Sequence, residues 1–240
     1  MIGTKTAAGL SAGFVLILAG FSMGVAQSGK PYTEWNEREA RKILDDSPWG
    51  QTQVWSDTSR MFQTGRGRAS NQTQDSSADH VNFRIRFLSA RPVRQATSRV
   101  IEMQQKGPLP EQLAAQLKAF AAADFPDYIV VTLTVDTLGR EAKEQLQTAA
   151  SLLQTLTTAE LKNNTYLLRR GGERVFLKEY QTPKKDGLGA RLIFPRLVNG
   201  EPFANAESGE ILFHCELKDA LTLNMRYKTK DMIYDGKFEY

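Results

Sequence analysis

Cysteine and histidine are nearly absent from this chain. Its 240 residues include one cysteine, Cys215, and two histidines, His80 and His214. One thiol excludes an intramolecular disulfide, so an exported form would have to be held together by its core. Two histidines far apart in sequence exclude a His-rich metal site. The compact catalytic motifs are missing as well. There is no Gly-x-Ser-x-Gly elbow, Ser-x-x-Lys, His-Glu-x-x-His, Cys-x-x-Cys or Gly-x-Gly-x-x-Gly. Gly65-Arg66-Gly67-Arg68 lacks the Gly-Lys-Ser/Thr ending and the following helix of a phosphate loop. Gly187-Leu188-Gly189 lacks the third glycine of a dinucleotide fingerprint. Charge of one sign is also scarce. The formal net charge is +4 and the signs are interleaved, which does not call for nucleic acid. No cofactor, no metal and no nucleic-acid partner are expected.

What is present is an ordinary globular composition, with 41% hydrophobic and 24% charged residues. The length suits one domain with an appendage. That appendage is N-terminal. Lys5, the apolar run Phe14–Phe21 and the small residues of Gly24-Val25-Ala26 read as a secretory signal peptide over residues 1–26, cut before Gln27. The competing reading is an uncleaved anchor, because residues 7–26 are about long enough to span a bilayer. The membrane is otherwise not expected as a partner. On either reading the remainder is exported, periplasmic or extracellular, where ATP- and NAD-dependent chemistry is disfavoured.

The chain after a polar leader, residues 27–32, is organised around Tyr128–Val135. This β-branched run without Pro or Gly reads as a strand buried on both faces. Four helical segments are expected. One follows Thr33 as N-cap and stops at Asp45-Asp46-Ser47-Pro48. The others run from Pro92, from about Pro110 to Ala123, and from about Arg140 to Thr157. Val81–Leu88 alternates as a half-buried strand. Residues 63–80 contain no large apolar residue and read as a mobile loop. The second half reads as antiparallel strands. Thr165–Arg169 and Val175–Tyr180 flank Arg170-Gly171-Gly172 as a hairpin. Ala190–Phe194, Glu210–Leu217, Leu221–Tyr227 and a last hairpin around Asp235-Gly236 follow. The expectation is one α+β domain over residues 33–240, with a mixed sheet, about four helices and a C-terminal antiparallel meander.

Several residues are candidates for chemistry. His214-Cys215 suggests a thiol nucleophile, but alternation sends Cys215 to the face of Ile211 and Phe213, and His214 to the opposite face. Cys215 therefore reads as structural. Asp136 ends the central strand, where a carboxylate can act as a base or metal ligand, although a cap or turn role is commoner. Asp45 and Asp46 point apart on a helix and serve its end. All three tryptophans fall between Trp35 and Trp55, and read as a cap on one end of the core rather than a carbohydrate surface. The most unusual charge feature is Arg84, Arg86, Arg91, Arg94 and Arg99, with no acid among them. These guanidiniums are candidates for contacting an anion such as phosphate or an acidic glycan. The competing reading is a face neutralised by acids from elsewhere in the chain.

Two segments, Tyr32-Thr33-Glu34-Trp35 through Asp45-Asp46-Ser47-Pro48-Trp49 and the ending Lys230 to Tyr240, resemble uncharacterised exported bacterial proteins that pair a signal peptide with a Ser-Pro-Trp segment. The resemblance implies export and a shared fold, and carries no activity or site residues. The sequence thus points to an exported, non-enzymatic envelope binding or interaction protein, with an envelope protein or anionic glycan as partner. The alternative is a periplasmic enzyme, most plausibly a hydrolase, whose site is assembled from distant residues.

Overall fold

A computed structural model describes residues 30–56, 80–137, 143–217 and 221–240. The proposed signal segment and nearly all of the expected 63–80 loop lie outside the described residues. The architecture is α+β. Among the described residues the main elements are α1 (Glu37–Asp45), β1 (Gly50–Ser56), β2 (His80–Phe87), α2 (Arg91–Gln104), α3 (Glu111–Ala122), β3 (Tyr128–Asp136) and α4 (Lys143–Thr155). A one-turn helix α5 (Thr158–Leu161) follows, then β4 (Thr165–Arg169), β5 (Arg174–Phe176), β6 (Glu179–Gln181), β7 (Ala190–Pro195), β8 (Leu197–Val198) and β9 (Glu201–Pro202). The chain closes with β10 (Glu210–Glu216), β11 (Thr222–Lys228), β12 (Ile233–Tyr234) and β13 (Lys237–Phe238).

The strands form a five-stranded sheet of order β1-β2-β3-β7-β6 and a four-stranded sheet of order β11-β10-β4-β5, with two short hairpins. β3 is the middle strand of the larger sheet, as its apolar run requires. The expected mixed pairing is corrected, because every ladder among the described residues is antiparallel. The two helices expected between β2 and β3 are present, and they return the chain beside the end of β2, where Phe87 faces Val131. A single crossover helix would have given a parallel neighbour.

The inward face of β2 is Val81, Phe83, Ile85 and Phe87, all fully buried. Leu133, Phe194, Phe213 and Tyr227 meet this row from other strands. The Tyr227 ring stands edge-on to Phe87 at 4.8 Å, and its buried hydroxyl donates to the Ile85 carbonyl at 3.0 Å. The two sheets also join at both margins. On one side the strand expected over Val175–Tyr180 divides, because the chain changes sheet between β5 and β6. Leu177 N–H donates to Thr165 O, and Lys178 N–H to Ile193 O. On the other side β1 and β11 are stitched by side chains. Gln51 Nε2 donates to Arg226 O at 2.9 Å, Gln53 Nε2 to Thr222 O at 2.9 Å, and Gln53 Oε1 accepts from Asn224 N–H at 2.8 Å. These glutamine amides stand where a backbone ladder would otherwise be. The two sheets therefore enclose one core as a flattened barrel.

The N-terminal cap is shifted from the expected Thr33. Tyr32–Glu34 forms a 3-10 turn, and Asn36 caps α1 in a capping box with Glu39. Asn followed three residues later by Glu satisfies two orphan donors reciprocally. The Ser-Pro-Trp segment turns α1 into β1. Ser47 Oγ donates to Ile43 O and accepts from the N–H groups of Trp49 and Gly50. Trp35 and Trp49 are buried, and Trp49 Nε1 donates to Glu239 O at 2.9 Å, which ties this turn to the C-terminal hairpin. That hairpin turns on Asp235 and Gly236, both at positive φ, as the two-residue turn requires.

Gly50 is needed for space rather than for its φ. A Cβ there would lie 2.2 Å from the Leu44 carbonyl oxygen, a backbone atom that cannot step aside. Gly50→Ala is expected to cost about 1–3 kcal/mol, the range for overpacking. Thermal unfolding followed by circular dichroism should show a midpoint lower by roughly 2–4 °C per kcal/mol.

Candidate functional site

The five arginines singled out by sequence do not form one surface. Arg84 and Arg86 project from the outward face of β2, opposite Phe83 and Ile85. Arg84 makes ion pairs with both Asp45 and Asp136. Arg86 reaches Asp45 Oδ1 at 2.8 Å and also donates to the Leu44 carbonyl and Thr134 Oγ1. Arg91 lies beside Asp235 and Glu239 of the C-terminal hairpin. Arg94 is 2% exposed, donates to the carbonyls of Leu88 and Ser89, and lies over the Phe125 ring. Burial pulls its guanidinium down to about 10, although Glu239 and Asp124 act against the shift. Arg99 donates to the Trp35 carbonyl at 2.7 Å and pairs with Glu102. Acids distant in sequence therefore neutralise most of this stretch.

Asp136 is part of the same network. It faces Asn82 across the β2–β3 ladder, and accepts from Asn82 Nδ2 at 2.9 Å as well as from Arg84. Burial by itself would raise its carboxyl. The hydrogen bonds from Arg84 and Asn82, and the charges of Arg84 and Arg86, outweigh burial and hold it below the ordinary carboxylate range. His80 shares the outward face of β2 with Asn82, but the carboxylate of Asp136 is already engaged by Asn82 and Arg84. Next to Asp45 is an open cleft of ≈ 680 Å³ whose lining includes Lys42, Asp46, Arg226, Lys228 and Asp231. Its wall is of mixed sign. Among the described residues no cluster of three or more His, Cys, Asp or Glu side chains is placed to hold a metal ion.

Cys215 is fully buried, and among the described residues its side-chain partner is the Thr165 hydroxyl at 3.3 Å. Burial pushes the thiol up to about 12, which removes it as a nucleophile at neutral pH. His214 points the opposite way, as alternation requires.

The outward face holding His214 is where the geometry departs most from an ordinary solvated sheet. The registers of three ladders line up Asn224, His214, Tyr166 and Phe176 in one row across all four strands. A parallel row carries Arg226, Leu212, Leu168 and Arg174. The His214 imidazole stacks on Tyr166 with ring centroids 4.6 Å apart. His214 Nδ1 is 2.7 Å from Asn224 Oδ1, and Nε2 is 3.3 Å from Glu216 Oε1. The Arg174 guanidinium lies 4.5 Å over the Tyr166 ring. Phe176 meets Tyr166 edge-on at 5.7 Å and is 43% exposed. Beside it opens a hollow of ≈ 480 Å³ lined by Lys162, Asn163, Phe176 and Leu177. The helices make their main strand contacts with β1, β2, β3 and β6, all in the other sheet. Alternation within β10 and β4 marks these side chains as outward-facing. Their alignment depends on register between strands far apart in sequence, which the sequence does not display.

Comparison with protein-family models, with curated proteins and with solved structures gave no match. Any functional reading therefore rests on the chain's own residues.

The Asp136 network predicts a pH dependence. A carboxyl held below its unfolded value of about 3.9 adds stability above that value and loses it as pH falls through the folded value. Urea unfolding should therefore show stability falling from roughly pH 5 to pH 2. Asp136→Asn should make that acid decline shallower, while lowering stability at pH 7 because Arg84 loses a partner.

Proposed function

We propose that this protein is an exported, non-enzymatic binding protein of the envelope or extracellular space, and that it contacts its partner with the outer face of the four-stranded sheet. The observation that carries this reading is the Asn224–His214–Tyr166–Phe176 row. Outward positions of a sheet with one solvated face are ordinarily polar. Here an exposed ring, a stacked imidazole and a guanidinium held on an aromatic face occupy them. Aromatic rings flanked by fixed polar groups are the usual composition of a contact surface. Export is supported by the pattern of residues 1–26. Among the described residues no helix is long and apolar enough to cross a membrane.

Two outcomes are expected. In a host that secretes the full chain, N-terminal sequencing of the exported protein should begin at Gln27; recovery of the whole product in the cytoplasm at full mass would overturn the export reading. Thermal unfolding of the purified protein against glycans, phosphate, nucleotides, divalent metals and lipid head groups should give a shift with at least one ligand. A ligand at about a hundred times its dissociation constant adds roughly 2.7 kcal/mol, which moves the midpoint by about 5–10 °C at this size. Tyr166→Ala should abolish the shift. A shift that persists in Tyr166→Ala and Phe176→Ala would place the contact elsewhere and overturn this reading.

A further inference from the structure

Resting on that reading, we infer that the sheet face binds an acidic glycan, a polysaccharide carrying carboxylated sugars, centred on Phe176 between Arg174 and Lys162. Tyr166 is already engaged by the His214 imidazole and the Arg174 guanidinium. Phe176 is the ring left open, at 43% exposure, and it forms a wall of the ≈ 480 Å³ hollow. That volume falls within the ~300–1,000 Å³ typical of small-ligand sites. One open ring beside a polar hollow suits a sugar. Its C–H face covers an aromatic ring, while its hydroxyls need donors and acceptors at the margin. Asn163 supplies both from the wall of the hollow.

The charge beside the ring is positive. Arg174 makes no ion pair among the described residues, and its guanidinium lies over the Tyr166 ring. Lys162 lines the hollow and likewise makes no ion pair among the described residues. Arg174 shares the outward face of its strand with Phe176, and Lys162 lines the same hollow, so two exposed cations stand beside the open ring. They complement an anion that arrives with the ligand. Arg174 is positioned for this role, because stacking on Tyr166 fixes its planar fork and reduces the entropy lost when it engages a carboxylate. A single-stranded nucleic acid fits less well. Such strands are gripped by successive open rings on which bases stack, and here the second ring is already covered.

The test uses the purified protein in affinity electrophoresis through gels containing polygalacturonate, its fully methyl-esterified form, or polyuridylate. Retardation by polygalacturonate is expected, with the dissociation constant raised at least tenfold in Phe176→Ala, Lys162→Gln and Arg174→Gln. All three positions lie on the surface, and a circular dichroism melt unchanged from wild type keeps each variant interpretable. Arg38→Gln, on the exposed flank of α1, should leave binding unchanged. The methyl ester should bind at least tenfold more weakly than the free acid. Equal binding of the methyl ester, lost in Phe176→Ala, would sink the acidic assignment but leave the sheet face as a contact surface. Tighter binding of polyuridylate, lost in the same variants, would replace the glycan with nucleic acid. No retardation by any polymer overturns the glycan inference. The binding reading itself falls only if the ligand panel is also silent.

Discussion

Two guanidiniums on a covered strand face set much of this architecture. Arg84 and Arg86 leave β2 on the side opposite its buried apolar row, and both side chains are largely removed from solvent. Charges in that setting need partners, because an uncompensated one costs several kcal/mol. Asp45 supplies a carboxylate to both, and it can do so only if α1 ends over the outward face of β2. The end of α1 is held there in turn. Arg86 donates to the Leu44 carbonyl, a last-turn acceptor at the negative end of the helix, where a cation is favoured. Ser47 then closes the turn, and Gly50 lets β1 start against the Leu44 carbonyl. The Ser-Pro-Trp segment is therefore the consequence of an ion-pair requirement on a strand that begins more than thirty residues later.

Closure follows from the position of β1. With α1 over its outward side, β1 sends Gln51 and Gln53 inward, opposite Ile85 and Phe83. A pair of amides facing a core would be costly if unpaired. They are paired by the backbone of β11, and this pairing draws the second sheet against the first. Polar residues at inward positions serve here as fasteners between sheets, and they also protect an edge that would otherwise offer free N–H and C=O groups to another chain. The described helices make their main strand contacts on the five-stranded sheet and not on the outer face of its partner. The open aromatic row is therefore a direct result of how the core was closed.

Local signals in the sequence located most of the elements. The β-branched run over residues 128–135 gave the central strand, and the alternation of residues 81–88 gave its neighbour. Asp235-Gly236 gave the last turn, with both residues at positive φ. The burial of Cys215 and the outward placement of His214 followed from period alone. What was not legible was everything set by pairing between distant segments. The direction of β3 depends on two intervening helices returning the chain to one end of the sheet. The break between β5 and β6 depends on where β7 lies, since Val175 through Tyr180 alternates as if it were one strand. The cap of α1 moved from Thr33 to Asn36 because the reciprocal bonds with Glu39 outweigh the simpler signal.

The same distinction decides how positive charge is read. A run of five arginines within sixteen residues draws the eye toward an anionic partner. In space those groups are dispersed, and the acids they lack nearby in sequence arrive from α1, from the end of β3 and from the C-terminal hairpin. Buried cations must be satisfied internally before the chain can fold, so clustering along a sequence is a poor guide to binding. A cation kept for a ligand has to meet two opposing demands. It must remain unpaired in the free protein, and it must still be held in place. Under the glycan proposal Arg174 meets both, since it makes no ion pair among the described residues and the Tyr166 ring holds its guanidinium without neutralising its charge.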